Sequence, residues 1–366
     1  MHKILVLNDT IISENYGCQL VSYSLRKALT KFFPNSVIDF YTYNQTFNGY
    51  DNGYDLAIVN GEGSFGHHFQ YPDGFRKLTG PMSNLLDKGI PVHLVNLSIQ
   101  CDLHTLKAHI PLFKRLTSIS VREPISYLFL HQNTNLTNIK LFPDIGTCYF
   151  AEEEVEKKYD FAFGFGALAK EHRSITTQID RYFEAIQILQ DEGYSIKFLG
   201  FPGNPFNDKK LAEDKLKDIT IVDDGFQSYY HAVKEAKLNI TGRHHGAVMS
   251  FAGKTPFMSF EANMWKTEGD QLIYGPFDYF YFRSMRTEPF VNWCRDAFIR
   301  ANEHRTILED NYKLLKPLFY GQIQHIVEDL PDVFEKGLMK VEDIEQQIQE
   351  LDYLNLQNYE LSKKVH

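Results

Sequence analysis

Lys3-Ile4-Leu5-Val6-Leu7-Asn8, followed by an amphipathic run over Gly17–Phe33, decides the fold class. The short apolar run has the length and composition of a buried strand. Behind it, Leu20, Val21, Leu25, Ala28, Leu29 and Phe32 recur near helical spacing. The same pair of signals returns down the chain. Val37–Tyr41, Leu56–Asn60, Val92–Leu97, Ser118–Val121 and Ile139–Phe142 read as strands, and Lys77–Lys88, Leu103–Leu116 and Pro124–His131 as helices. Strands alternating with helices predict a parallel, wound sheet covered on both faces.

Ala151–Lys158 is charge-rich and reads as a linker, or as a solvated helix turn within one domain. The pattern then restarts. Tyr159–Phe163, Ser195–Leu199, Ile219–Val222, Leu238–Thr241 and Pro256–Phe260 read as strands. Thr176–Glu192, Phe226–Ala236, His245–Ala252 and Met264–Leu272 read as helices. A single core rarely grows past about 250–300 residues, and the chain has 366. The expected fold class is therefore α/β, with two Rossmann-like domains, residues 1–150 and 159–290, facing across a cleft. Residues 291–366 are expected to form helices that partly pack back on the first domain. Val291–Tyr320 reads as helical, and Val341–Tyr359, rich in Glu, Gln and Leu, as a surface or pairing helix.

Composition narrows the function. The chain is 43% hydrophobic, with 38 Lys+Arg against 47 Asp+Glu, a formal charge of −9. That balance argues against nonspecific nucleic-acid binding, which needs a basic face. It leaves room for a small anion held by a local Arg cluster. No apolar run approaches the roughly 20 residues that span a bilayer, and the first residues are too short an apolar region for a signal peptide. The expectation is a cytoplasmic protein that acts in solution or at the inner face of the membrane. The four cysteines, Cys18, Cys101, Cys148 and Cys294, form no CxxC pair and read as buried thiols of a reducing compartment.

Several segments carry polar chemistry. Gly61-Glu62-Gly63-Ser64-Phe65-Gly66 matches G-x-G-x-x-G but follows the third strand rather than the first, so a dinucleotide fingerprint is not indicated. It reads as a glycine-rich loop at a strand's carboxyl end. There Glu62, Ser64, His67 and His68 face a ligand, or Glu62 bonds to backbone in a structural turn. Asn15 caps the following helix or presents an amide to a sugar hydroxyl. Arg122 emerges from a strand before Pro124, facing a ligand or paired with Glu123 or Asp144. Thr241-Gly242-Arg243-His244-His245-Gly246-Ala247 is the strongest signal: a strand end, a guanidinium and the start of a helix, whose N–H groups favour an anion. His245 exchanges a proton near neutral pH, and Gly246 beside it is expected to leave room for a substrate. Neighbouring side chains at a helix start diverge by about 100°, so only one of the two histidines points at a bound group. The His pairs at 67–68 and 244–245 lack an accompanying ligand set, and no metal is expected. Glu261 and Asn263 follow a strand and sit at a cleft mouth, or Asn263 caps a helix. Tyr274–Phe282 is an aromatic stretch suited to core or to sugar stacking.

Together these segments resemble the polysaccharide pyruvyl transferase family. The pieces come in family order: Asn15-x-Gly17-x-Gln19, Asn60–Ser64, Ser120–Ser126, Pro143-Asp144, Thr241–His245, and the run from Thr255 through Glu261, Asn263 and Lys266 to Glu268-Gly269. The resemblance covers roughly residues 3–272. It implies a GT-B-like arrangement and transfer of the enolpyruvyl group of phosphoenolpyruvate (PEP) to sugar hydroxyls as a ketal, with no cofactor. The acceptor would be a saccharide or lipid-linked saccharide of a cell-surface glycan. It implies Arg122 and Arg243 at the donor and His245 in the chemistry, with Glu62 the next proton donor. Gly242, Gly246, Glu261 and Asn263 complete the donor set, and Asn15, Gly63, Ser64 and His67 the acceptor set. His244 departs from the family pattern, where an apolar or aromatic residue is common. A homo-oligomer is compatible with the sequence. Two other readings stand beside this one: a glycosyltransferase with a nucleotide-sugar donor on the same fold, and a binding protein with a decayed site.

Overall fold

The structure, a computed structural model, describes residues 2–49, 53–66, 74–149, 155–166, 175–200, 208–216, 219–260, 264–275, 286–328 and 330–350. Two compact units divide the chain. The first contains Met1–Ser13, Cys18–Cys148 and Leu315–Val341; the second contains Glu14–Gly17, Tyr149–Leu314 and Glu342–His366.

The first unit is built on strands β1 (Lys3–Asp9), β2 (Val37–Thr42), β3 (Leu56–Gly66), β4 (Val92–Gln100), β5 (Ser118–Val121) and β6 (Ile139–Leu141). They form one parallel sheet in the order β2-β1-β3-β4-β5-β6. Helices α1 (Tyr16–Phe32), α2 (Gly74–Asp87), α3 (Leu103–Phe113) and α4 (Pro124–Asn133) connect them. Ile4, Leu5 and Val6 of β1 and Leu94, Val95, Leu97 and Ile99 of β4 are fully buried, as a sheet covered on both faces requires. On α1, Leu20, Val21, Leu25, Ala28 and Leu29 form the stripe that covers it.

The second unit has strands β7 (Tyr159–Gly164), β8 (Ile196–Leu199), β9 (Thr220–Val222), β10 (Ala236–Thr241) and β11 (Phe257–Ser259). All pair in parallel, in the order β11-β10-β7-β8-β9. Helices α5 (Ile175–Asp191), α6 (Asp208–Lys215), α7 (Phe226–Glu235), α8 (His244–Ala252), α9 (Lys266–Tyr274), α10 (Thr287–Ile299) and α11 (Ala301–Leu315) surround the sheet. Its core is unusually aromatic: Phe161, Phe163, Phe165, Tyr182, Phe183, Phe198, Phe260 and Phe290 are packed in one cluster. The two sheets are Rossmann-like domains.

One expectation is corrected and two readings gain detail. The segment Gly61–Gly66, read as a loop, continues β3. Glu62, Phe65 and Gly66 pair with Leu97, Ile99 and Gln100 across a register shift. The glycine pattern signals a bulge there, with Glu62 in the left-handed region at φ 40°. Second, Val291–Tyr320 is not one helix. It divides at Arg300, which ends α10, and at a 3-10 turn over Lys316–Leu318, after which α12 (Gly321–Val327) begins. Pro317 lacks the N–H that would continue α11. Third, α6 has no counterpart in the sequence reading, because eight residues of mostly charged sequence show no apolar stripe. Residues 341–350 are helical, and 351–359 lie outside the described residues. So do 151–154 of the linker segment and 276–282 of the aromatic stretch. No helix among the described residues is long and apolar enough to cross a membrane.

Candidate functional site

In the second unit the chain reverses its direction of winding between β7 and β10, which are neighbours in the sheet. A wound sheet binds ligands beyond the carboxyl ends of its strands at such a point. Thr241 ends β10 there, and the next residues are Gly242 and Arg243. Gly242 is required by close packing: a Cβ on it would lie 2.3 Å from the Phe260 ring and 2.7 Å from Gly166 Cα. This contact pins the start of α8 against the ends of both strands.

Arg243 is the N-cap residue of α8, with extended backbone (φ −108°, ψ 125°) and no side-chain capping bond. A guanidinium has five donors and no acceptor, so it cannot do what Ser, Asp or Asn do at this position. The first turn of α8 therefore takes no capping bond from the side chain at its N-cap, and a cation stands beside it. Local structure rules are broken here in the way that functional sites break them. Arg243 is half-buried.

The two histidines that follow part ways. His244 turns into the domain, 2% exposed, and its Nδ1 lies 2.8 Å from the buried Asp270 carboxylate. His245 stays half-buried, its ring 4.7 Å from that of His244 and edge-on to it. Against His245 lies the first turn of α1: a Cβ on Gly17 would fall 2.0 Å from His245 Nδ1. Glycine at 17 is thus the condition for the imidazole to occupy its place. Asn15 Oδ1 accepts from Gly17 N at 2.9 Å, so Asn15 caps this helix start. The space beside Gly246 that the sequence reading left for a substrate is filled by Thr241. A Cβ there would lie 2.4 Å from Thr241 Oγ1, so this glycine serves helix–strand packing.

In the first unit Arg122 follows β5 and is 1% exposed. Its Nη1 donates to Asp144 Oδ2 at 2.8 Å and its Nε to Ser98 Oγ at 2.8 Å. Of the two carboxylates offered by the sequence, Asp144 takes the guanidinium. Glu123 turns away and caps α4, accepting from Ser126 N, with Pro124 at the first helical position. Glu62 is 6% exposed. Its carboxylate accepts from Thr10 Oγ1 (2.6 Å), Asn60 Nδ2 (2.7 Å) and Cys18 Sγ (3.1 Å). Glu62 is thus held by side chains rather than by backbone, in a network joining the end of β1, α1 and β3. Gly63 and Ser64 belong to β3, and Ser64 Oγ accepts from Asn8 Nδ2 at 3.3 Å. Asn8, Glu62 and Asn96, on adjacent strands, all have positive φ, a backbone state that clusters at functional sites. His67, His68, Glu261 and Asn263 lie outside the described residues.

Ser98 and Asp270 escaped the sequence reading. Ser98 is a polar residue in a largely apolar strand, which signals a buried partner without saying which; Asp270 lies in a polar stretch (Lys266–Gln271) that gives no such signal. The four cysteines are free. Burial, with Asp102 nearby, pushes the Cys101 thiol up to about 12, and burial raises Cys148 and Cys294 likewise.

Two parallel wound units, the second with a cation-flanked helix start at its switch point, make a GT-B-like fold. Solved structures agree on the fold. The S. aureus MnaA–UDP co-structure superposes with a TM-score of 0.58 at 11% identity, over 91% of this chain and 100% of that one. The Methanocaldococcus jannaschii UDP-GlcNAc 2-epimerase in complex with UDP-GlcNAc and UDP gives 0.51 at 12%, over 87% and 99%. The spinosyn forosaminyltransferase SpnP gives 0.53 at 7%, over 89% and 98%. No curated protein matches the sequence. The polysaccharide pyruvyl transferase family model matches residues 15–263. The chain belongs to that family and is a transferase.

Proposed function

We propose that the protein transfers the enolpyruvyl group of PEP to hydroxyls of a saccharide or lipid-linked saccharide, forming a ketal and releasing phosphate. The observation that carries this reading is the start of α8, where Arg243 stands at the N-cap without capping the helix. A phosphate or carboxylate oxygen at this helix start would meet its N–H groups and dipole and be gripped by the guanidinium. PEP carries both groups. Arg122 is the donor-directed cation of the first unit. His245 is the acid that protonates the methylene carbon or assists phosphate departure, its imidazole held by Gly17. Glu62 is the alternative acid. Gly242 contributes to the donor set with Glu261 and Asn263, and Asn15, Gly63, Ser64 and His67 to the acceptor set. Proton transfer and anion binding account for the chemistry without a cofactor. The substrate is an intermediate of cell-surface glycan synthesis, handled in the cytoplasm or at the inner membrane face.

A second reading is glycosyl transfer from a nucleotide-sugar donor. Relatives of the fold bind UDP, and a diphosphate suits the same helix start. One experiment separates them: purified protein, acceptor glycans, and PEP or a nucleotide-sugar panel, read by phosphate or nucleotide release. Phosphate release that depends on PEP and acceptor together is expected. Release of nucleoside diphosphate instead would replace the first reading by the second.

A further inference from the structure

The Arg122–Asp144 pair is framed by a residue from far along the chain. Gln322 sits on α12, beyond the family match at 15–263, and is fully buried. Its Nε2 donates to Asn96 Oδ1 at 3.0 Å and to Pro143 O at 2.7 Å, and its Oε1 accepts from Asn96 N. Both N–H donors and the carbonyl of the amide are thus engaged. Asn96 Oδ1 also accepts from Ile145 N at 3.0 Å. Gln322 therefore fixes the residue before Asp144 directly and the residue after it through Asn96. Asn96 itself has φ +57° and lies two residues before Ser98, the other partner of Arg122. One side chain thus holds both platforms on which the guanidinium rests.

We infer that Gln322 is a positioning residue for Arg122, so that a helix outside the family-matched region sets the aim of the donor-directed cation. The functional consequence rests on the PEP reading above. Only an amide fits. A carboxylate would face Asn96 Oδ1 and Pro143 O with oxygens and no proton, and an apolar side chain would leave Asn96 N and Pro143 O without a partner.

The test uses Gln322→Glu in the full chain, alone and combined with Arg122→Lys. Gln322→Met, neutral and of equal length, takes its place should the Glu variant not fold. The first readout needs no substrate: NMR-detected hydrogen exchange of the Arg122 Nε–H, bonded to Ser98 Oγ. The expected result is exchange faster by about 10-fold or more, the scale of one lost buried hydrogen bond. The second readout is the PEP KM, expected to rise about 10-fold with kcat changed less than about 3-fold. In the Arg122→Lys background the substitution should move KM by less than about 2-fold, since coupled residues are non-additive. Unchanged Nε–H exchange overturns the inference, as does a KM effect that adds fully to that of Arg122→Lys. Faster exchange in a protein that turns over no PEP supports the positioning of Arg122 and sinks the donor reading alone.

Discussion

The two units carry the same local grammar, a strand that ends in an arginine followed by a helix, and use it oppositely. After β5, Arg122 is sealed at 1% exposure on Asp144 and Ser98, and the helix behind it is capped by Glu123. After β10, Arg243 is half-buried and is itself the cap position of a helix that its own side chain does not cap. The same contrast repeats in one turn of α8, where His244 is committed to Asp270 and His245 is not buried. Similar sequence logic thus yields a fully buried cation and a half-buried one. What seals the first is a carboxylate from elsewhere in the fold, Asp144, at hydrogen-bond distance.

The histidine contrast yields the largest expected effect. His245→Ala should lower turnover by about 10²–10⁴-fold, the range for a lost general acid, with PEP affinity changed far less. His244→Ala should stay within about 10-fold in turnover. Parallel kinetics of both variants check this, and equal losses would place the proton donor elsewhere, with Glu62 the next to test.

The arginine contrast comes next. Arg122→Ala leaves Asp144 buried without its partner and should cost about 3–5 kcal/mol of stability, measured by denaturant unfolding. Arg243→Ala, at a half-buried position, should cost less stability than Arg122→Ala. It should weaken PEP binding by more than about 10-fold instead, the worth of a charge-assisted contact, read by calorimetry. Comparable stability losses at both positions would erase the distinction.

A pH series sharpens the comparison between units. In the first unit His93 Nδ1 lies 2.8 Å from Ser118 Oγ, which is 3.1 Å from His325 Nε2, and His325 Nδ1 is bonded to Gly321 O. Burial, then His325, lowers His93 from 6.5 to about 4. Burial lowers His325 as well, with Lys140 adding to it. A base with a depressed native pKa contributes stability above its unfolded value and loses it as pH falls. The first unit should therefore weaken as pH drops from about 6.5 towards 4, by about 3 kcal/mol for His93. In the second unit Asp160 and Glu235 sit below their ordinary values; burial opposes that shift, and their lysine and Ser195 partners produce it. These carboxylates protonate only at lower pH. Hydrogen exchange resolved by unit should show the first opening earlier on acidification. His93→Phe, or simultaneous opening, decides whether the chain of imidazoles is responsible.

The smallest effect concerns the committed histidine. His244→Ala strands the Asp270 carboxylate and should cost about 1–3 kcal/mol in stability. Thermal unfolding of this variant beside His245→Ala, which should unfold near wild type, completes the comparison.

The alternation of strands and helices was legible because apolar periodicity is a local property, as were the cap at Asn15 and the helix start at Pro124. Arg243 and His245 were legible for the same reason: a basic pair at a strand–helix junction breaks a local rule and needs no partner to be noticed. The continuation of β3 through Gly66 was not, because a glycine-rich run becomes strand only when β4 offers Val95–Gln100 to pair with it. The fate of Arg122 depended on Asp144, 22 positions away, and on Ser98, and the frame around them on Gln322, 226 positions from Asn96. Local sequence determined which elements form and where charge meets a helix start. Tertiary structure alone decided which charges are spent on holding the protein together, because a buried hydrogen bond is set by distances of about 3 Å between residues whose separation along the chain carries no signal of their meeting.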